Sequence, residues 1–215
     1  MFVPNTTSRP PADMLMPQTE QLIITIATQI PFIVFFFLGL RNLAIHHDPK
    51  ALLFGLGGCL ASAFEPVVDV LGFCFFPREG SWIAFEMLGR PIPVFVPATY
   101  GWFVGGMGYW FYNVFQDRKT TAKDVPVLWF KAFVINLVLE YPPLYLGIYT
   151  YYGYQPLVIG AFPLWFPAVN AASPIVAGTI LNLITPHLKG KMNFTIVTTV
   201  ATAYALTNAA FGAPA

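Results

Sequence analysis

The sequence predicts an all-α, polytopic membrane helical bundle of about six transmembrane helices, and three observations predict it. Apolar residues make up 56% of the 215-residue chain, and its mean hydropathy is +0.63. Charged residues are only 10%, against ~25% in a soluble globular domain. The apolar residues gather into six stretches long enough to cross a hydrocarbon core, which takes ~20 residues at the helical rise.

Those stretches run over 21–40, 52–73, 92–115, 127–148, 157–184 and 194–211. The fifth carries Pro163, Pro167 and Pro174. It is expected to tilt or kink with its freed backbone groups satisfied inside the bundle, with a split into two half-spans as the alternative, and a count of seven spans stays open. Residues 1–20 read as an exposed tail and 21–212 as a single transmembrane bundle. The opening is polar and proline-rich, without the basic segment leading into an apolar core that marks a cleavable signal peptide. Asn5-Thr6-Thr7 is a glycosylation sequon, meaningful on the lumenal side of a eukaryotic secretory membrane.

Lys and Arg set the expected orientation, because cytoplasmic loops are enriched in both. Arg41 and Lys50 follow the first span; Arg118, Lys119 and Lys123 follow the third; Lys189 and Lys191 follow the fifth. The opposite side holds only Arg9, Arg78 and Arg90. Both termini are therefore expected in the lumen or outside the cell, with the endoplasmic reticulum as the compartment if the source is eukaryotic. The aromatic connection 73–91 is expected to lie on or dip into the lumenal interface, and Tyr141, Tyr145, Tyr149, Tyr151, Tyr152 and Tyr154 cluster near the same level as a tyrosine belt.

Several chemistries are disfavoured. A net charge of +1 supplies no basic field for nucleic acid. The chain has no P-loop, GxSxG elbow, HExxH or dinucleotide fingerprint, and no lysine in its last span for a retinal Schiff base, so no cofactor is expected. Cys59 and Cys74 lack metal-ligand spacing and read as buried thiols. His46-His47-Asp48 reads as a solvated turn, and no metal is expected.

The informative residues are carboxylates inside spans, where an ionisable group costs several kcal/mol unless paired, neutralised or hydrated. In the second span Gly55, Gly58, Ser62, Glu65, Asp69 and Gly72 recur at spacings of three and four, which makes one small, polar helical stripe facing the bundle. Pro66 is expected to bend the helix beside Glu65. In the fourth span Asn136 and Glu140 share a face. Glu65 and Glu140 each lie thirteen residues beyond Leu52 and Val127, or ~20 Å in, so they are expected to meet in the lumenal half. Asn170, Tyr100, Trp102, Tyr109, Trp110, Trp165 and Tyr141 are the candidates to complete a substrate cavity. An apolar site keeps a carboxylic acid neutral and able to donate a proton, and a second carboxylate can receive it. Asp69, nearer the interface, is a third candidate acid, with pairing to Arg78 or Arg90 as its plainer explanation. A polar network that only holds helices together is the structural alternative.

These residues resemble the small integral-membrane terpene cyclases of fungal meroterpenoid pathways and their bacterial relatives. The resemblance rests on chain size, a helical bundle without cofactor motifs, abundant aromatics, and the segment GGCLASAFE ending at Glu65. It implies metal-free, proton-initiated cyclisation of a prenylated hydrophobic substrate, commonly by opening a terminal epoxide. Glu65 alone carries over by position. The family has seven spans with an acidic residue in the last, whereas FTIVTTVATAYALTNAAF has none, and Glu140 is the substitute by geometry. Two other classes stay open, a proton- or cation-coupled transporter and a non-catalytic subunit that binds lipid or sterol.

Overall fold

The computed structural model describes residues 9–117 and 119–212, and 69% of the chain is helical. Asn5, Arg118 and the C-terminal residues 213–215 lie outside the described residues.

Among the described residues the helices form six rods. The first is α1 (Gln18–His46). The second joins α2 (Lys50–Ala61) through a 3-10 turn at Ser62–Phe64 to α3 (Glu65–Leu71). The third joins α4 (Phe95–Tyr100) through a π-helical turn, Gly101–Gly106, to α5 (Met107–Gln116). Then come α6 (Val125–Tyr145), α7 (Trp165–Ile184) and α8 (Thr195–Thr207). The stretches Gln18–His46, Lys50–Leu71, Val125–Tyr145 and Trp165–His187 are long and apolar enough to cross a membrane. Beside Pro66 the helix tightens to 3-10 over Ser62–Phe64, and Pro66 sits in the first turn of α3, where a missing N–H costs nothing.

Short ribbons depart from a purely helical reading. β1 (Cys74–Phe75) lies in the second connection, followed by the hairpin of β2 (Ile83–Met87) and β3 (Arg90–Pro93). β4 (Thr150–Tyr151) pairs antiparallel with β1, and β5 (Val158–Ile159) pairs with β6 (Phe162–Pro163). The third helix therefore starts at Phe95, not 92, because Pro91 and Pro93 lack helical donors and Ile92 belongs to β3. The fifth starts at Trp165, not 157, and is one helix with Pro174 inside it. Leu157, Gly160 and Ala161 take φ of 55, 54 and 63°, a left-handed geometry that breaks any helix there.

Helix α1 begins at Gln18, and the residues at its start are tied to the second connection. Met16 is buried and its N–H donates to the Glu79 carbonyl at 2.9 Å. Gln18 Nε2 donates to the Gly80 carbonyl at 2.8 Å. Fully buried Gln21 accepts from the Trp82 N–H at 2.7 Å. The start of α1 thus anchors the second connection. Otherwise α1 is peripheral, burying only Gln21 and Gly39 and turning Ile23, Ile26, Ile30 and Phe37 outward.

At the centre, α2 meets the π-helical turn backbone to backbone. A Cβ at Gly58 would lie 2.7 Å from the Gly105 nitrogen, and one at Gly105 would lie 2.9 Å from the Gly55 Cα. Backbone cannot move aside as a flexible side chain can, so Gly58→Leu is expected to cost at least the ~1–3 kcal/mol of core overpacking. The check is the thermal midpoint of the purified protein in detergent. Gly106→Ala, whose Cβ would meet nothing closer than 3.8 Å, should leave that midpoint unchanged.

Candidate functional site

Glu65 opens α3, where the 3-10 turn turns its side chain toward α4 and α8. The Tyr100 hydroxyl donates to Glu65 Oε2, and Tyr204 on α8 reaches the same oxygen at 3.4 Å. The two phenol oxygens are 2.5 Å apart, and their rings meet edge to face at 5.1 Å. Tyr100 is the last residue of α4 before the π-helical turn, a departure from α geometry that recurs at functional sites.

Glu140, near the end of α6, has a parallel arrangement. Tyr149 donates to Glu140 Oε2 and to the Glu140 carbonyl at 3.0 Å, and Asn136, one turn earlier, hydrogen-bonds the same carboxyl. Burial first, and then the neighbouring Glu140, hold the Tyr149 phenol well above its ordinary range. It stays a donor at any physiological pH.

Both carboxyls open on one cavity of about 290 Å³, bounded by α1, α3, the third rod, α6, α7, α8 and the β1–β4 ribbon. Trp102, Phe95, Phe103, Tyr151 and Phe166 form much of its wall. Asn136 and Asn170 also line it, and the side-chain oxygens of both, with Trp102 Nε1, are buried without a hydrogen-bond partner. Leaving such groups unmatched costs ~1–3 kcal/mol each. A ligand bearing a small polar group in an apolar frame would relieve that cost.

Of the residues singled out from sequence, Glu65, Glu140, Asn136, Asn170, Tyr100 and Trp102 come together at this cavity. Asp69 does not line it. It is 1% exposed, and neither carboxyl oxygen has an N–H or O–H partner. Arg78 is not its partner, because Arg78 makes a two-bond pair with Glu86 at 2.7 Å. That exposed pair raises the Arg78 pKa and lowers that of Glu86, chiefly through the hydrogen bonds. Arg90 lies within electrostatic reach of Asp69, donates to the Tyr152 hydroxyl at 2.5 Å, and stands over the Phe75 and Tyr152 rings at 5.7 and 5.5 Å. Burial, then the charge of Asp69, push the Cys74 thiol well above its usual range. Cys59 and Cys74 are both free.

Four expected lining residues point elsewhere. Tyr109 packs against Phe35, Phe54 and Tyr112. Trp110 is 41% exposed. Trp165 donates through Nε1 to Gln155 at 3.1 Å, outside the cavity. Tyr141 stacks on Tyr145 and donates to the Ile159 carbonyl at 2.8 Å, which the β5–β6 ribbon brings beside it. Sequence reasoning missed Tyr204, and it left Tyr149 and Tyr151 in the tyrosine belt. Tyr204 carries one signal, a lone aromatic hydroxyl in the Thr/Ala-rich segment of α8.

Asp48 accepts from the Lys50 N–H at 3.0 Å and pairs with its ammonium at 3.0 Å, while His47 takes a φ of 53° at the end of α1. The His-His-Asp sequence is thus a turn between helices. Comparison of the chain with protein-family models, curated proteins and solved structures gave no match.

Proposed function

We propose that the chain is an integral-membrane, metal-independent terpene cyclase acting on a prenylated hydrophobic substrate. One observation carries the reading: two carboxyls, each held by a tyrosine hydroxyl, open on a single aromatic, apolar cavity. In the proposed cycle the Glu65 carboxyl gives its proton to the substrate's epoxide oxygen. The bond from that oxygen to the more substituted carbon breaks, and its electrons stay on oxygen as a hydroxyl. The next alkene supplies π electrons to the cationic carbon, a carbon–carbon bond forms, and the charge moves along the chain. Glu140 takes a proton from the carbon beside the last cation, leaving an alkene. One proton is given and one taken, so the product is an isomer of the substrate. With an alkene as trigger, the proton adds to carbon and the remaining steps are the same.

Tyr100 and Tyr149 orient the two carboxyls, and the ring faces of Phe95, Phe103 and Trp102 are suited to the passing cation, at ~2 kcal/mol or more per desolvated contact. Asp69 does not open on the cavity, and no step is assigned to it. A transport path would have to continue past Glu65 toward the start of α2. There the chain brings Gly55 and Gly58 against Gly101 and Gly105, which favours a pocket closed at that end.

The membrane setting is part of the proposal: a bundle of six spans, with α1 facing lipid through its outward isoleucines and phenylalanines. The Lys/Arg asymmetry gives the orientation, with the cavity in the lumenal half, the first span beginning and the last span ending on that side, and Lys119 and Lys189 in the cytoplasm. Cysteines introduced at 119 and 189 should be labelled only from the cytoplasmic side of sealed vesicles; labelling only from the lumen would invert the topology. The reaction is tested by expressing the chain beside an epoxidase and a prenyltransferase and identifying products by mass spectrometry. A cyclised isomer that depends on the chain is expected. Failure to consume any prenylated substrate refutes the cyclase, and a lipid-binding subunit would behave in that way.

A further inference from the structure

A second recess adjoins the acidic cavity. It is an open groove of about 360 Å³ between Pro31 and Phe35 of α1 and Ile135 of α6, with Trp102, Gly106, Met107 and Trp110 of the third rod as its floor. No charged residue lines it. Helix α1 packs on α2, α4 and the π-helical turn, whereas α6 packs on α7. The two helices therefore stand on opposite sides of both recesses, with the cavity bounded by Thr28 and Ala27 on one side and Leu139 and Val138 on the other. Trp102 lines both spaces, so it is the partition between them. Gly106 supplies the width of the groove: a Cβ there would still be 3.8 Å from the Phe35 ring.

Resting on the cyclase reading, we propose that this groove is the tail subsite, holding the distal isoprene units of the prenyl chain, which enters sideways from the bilayer between α1 and α6. Size argues for it, since the cavity of about 290 Å³ is at the small end of the ~300–1,000 Å³ typical of ligand pockets. The reacting end and its first isoprene units fill such a space, and a longer chain must leave it. The groove is apolar, and Trp102 is shared between it and the cavity. Trp102 then sets how many isoprene units lie on the acidic side. A groove lined by apolar side chains and one glycine, with no charged residue, suits a run of isoprene units better than a polar ligand.

Photolabelling of the purified protein in lipid nanodiscs tests this without relying on turnover. The probes are a C20 and a C10 prenyl alcohol, each with a diazirine at its tail end, and labelled residues are mapped by peptide mass spectrometry. The C20 probe is expected to label Met107, Trp110 and Ile135, with competition by unlabelled C20 alcohol. The C10 probe is expected to label the cavity wall at Phe95 and Phe103. Gly106→Phe, at the end of the π-helical turn where φ is −66° and ψ −44°, and Ile135→Trp narrow the groove from opposite sides. Each should cut C20 labelling by about tenfold and leave most C10 labelling, which also reports that the variant is folded. C20 labelling that is uncompetable, or unchanged in both variants, overturns the subsite. Competable C20 labelling in a protein that cyclises nothing upholds the subsite and overturns the cyclase alone.

Discussion

Glu65→Gln is expected to lower the formation of cyclised product by ~100-fold or more, the scale of a lost general acid, while membrane expression stays normal. Glutamine keeps the size of the side chain and an oxygen to accept from Tyr100, so the contacts among α3, α4 and α8 survive. What it lacks is a transferable proton. The measurement is specific activity per mole of folded protein in a quantified membrane fraction. Full activity would show that the proton comes from elsewhere. A purely structural Glu65 would give the opposite pattern, with less protein surviving and unchanged activity in what remains. Tyr204→Phe separates the two further. It removes the contact to Glu65 at 3.4 Å without touching the acid, so it should slow turnover far less than Glu65→Gln does.

The convergence of Glu65 and Glu140 was legible in the sequence because helical geometry is regular. Equal counts from two span starts put both groups at one depth, and the three-and-four spacing of Gly55, Gly58, Ser62 and Glu65 turned that stripe inward. The same regularity placed Asn136 one turn from Glu140. Where the chain leaves the helix, this reasoning has no purchase. Residues 92–94 and 157–164 are apolar enough to pass for helix, because hydropathy alone does not distinguish a short buried strand from a helical turn. The prolines and left-handed residues that end the helices there act through backbone geometry. Trp165 and Tyr141 were misjudged for the same reason. Their partners, Gln155 and the Ile159 carbonyl, are brought to them by loop ribbons whose pairing no periodicity encodes. Tyr149 was read as a belt residue because a phenol that anchors a carboxyl looks, in sequence, like one that meets an interface. A replacement at Trp102, which does line the cavity, is accordingly the one expected to alter product distribution.

Glu140→Gln is expected to have a different signature from loss of the initiating acid, because in the proposed cycle Glu140 acts last. Substrate should still be protonated and its first ring closed, so consumption persists at a reduced rate. The final cation then lacks its base. With the carboxylate gone, it is quenched by whatever nucleophile reaches it, and water adding to that carbon leaves an alcohol, with the released proton passing to solvent. The expected result is an overall loss of the native alkene product of ~10²-fold, within the range for removing a general base, and new products heavier by one water. Mass spectrometry of an extract made in ¹⁸O-labelled water identifies them by the heavy isotope at the new hydroxyl. Tyr149→Phe, which removes the donor to Glu140 but leaves the carboxyl, should give the same alcohols in smaller proportion, because the base is present but poorly held. If Glu140→Gln abolishes substrate consumption as completely as Glu65→Gln, the two carboxyls act together at the protonation step. If it changes neither rate nor products, Glu140 serves only to hold Tyr149 and the β1–β4 ribbon against the end of α6.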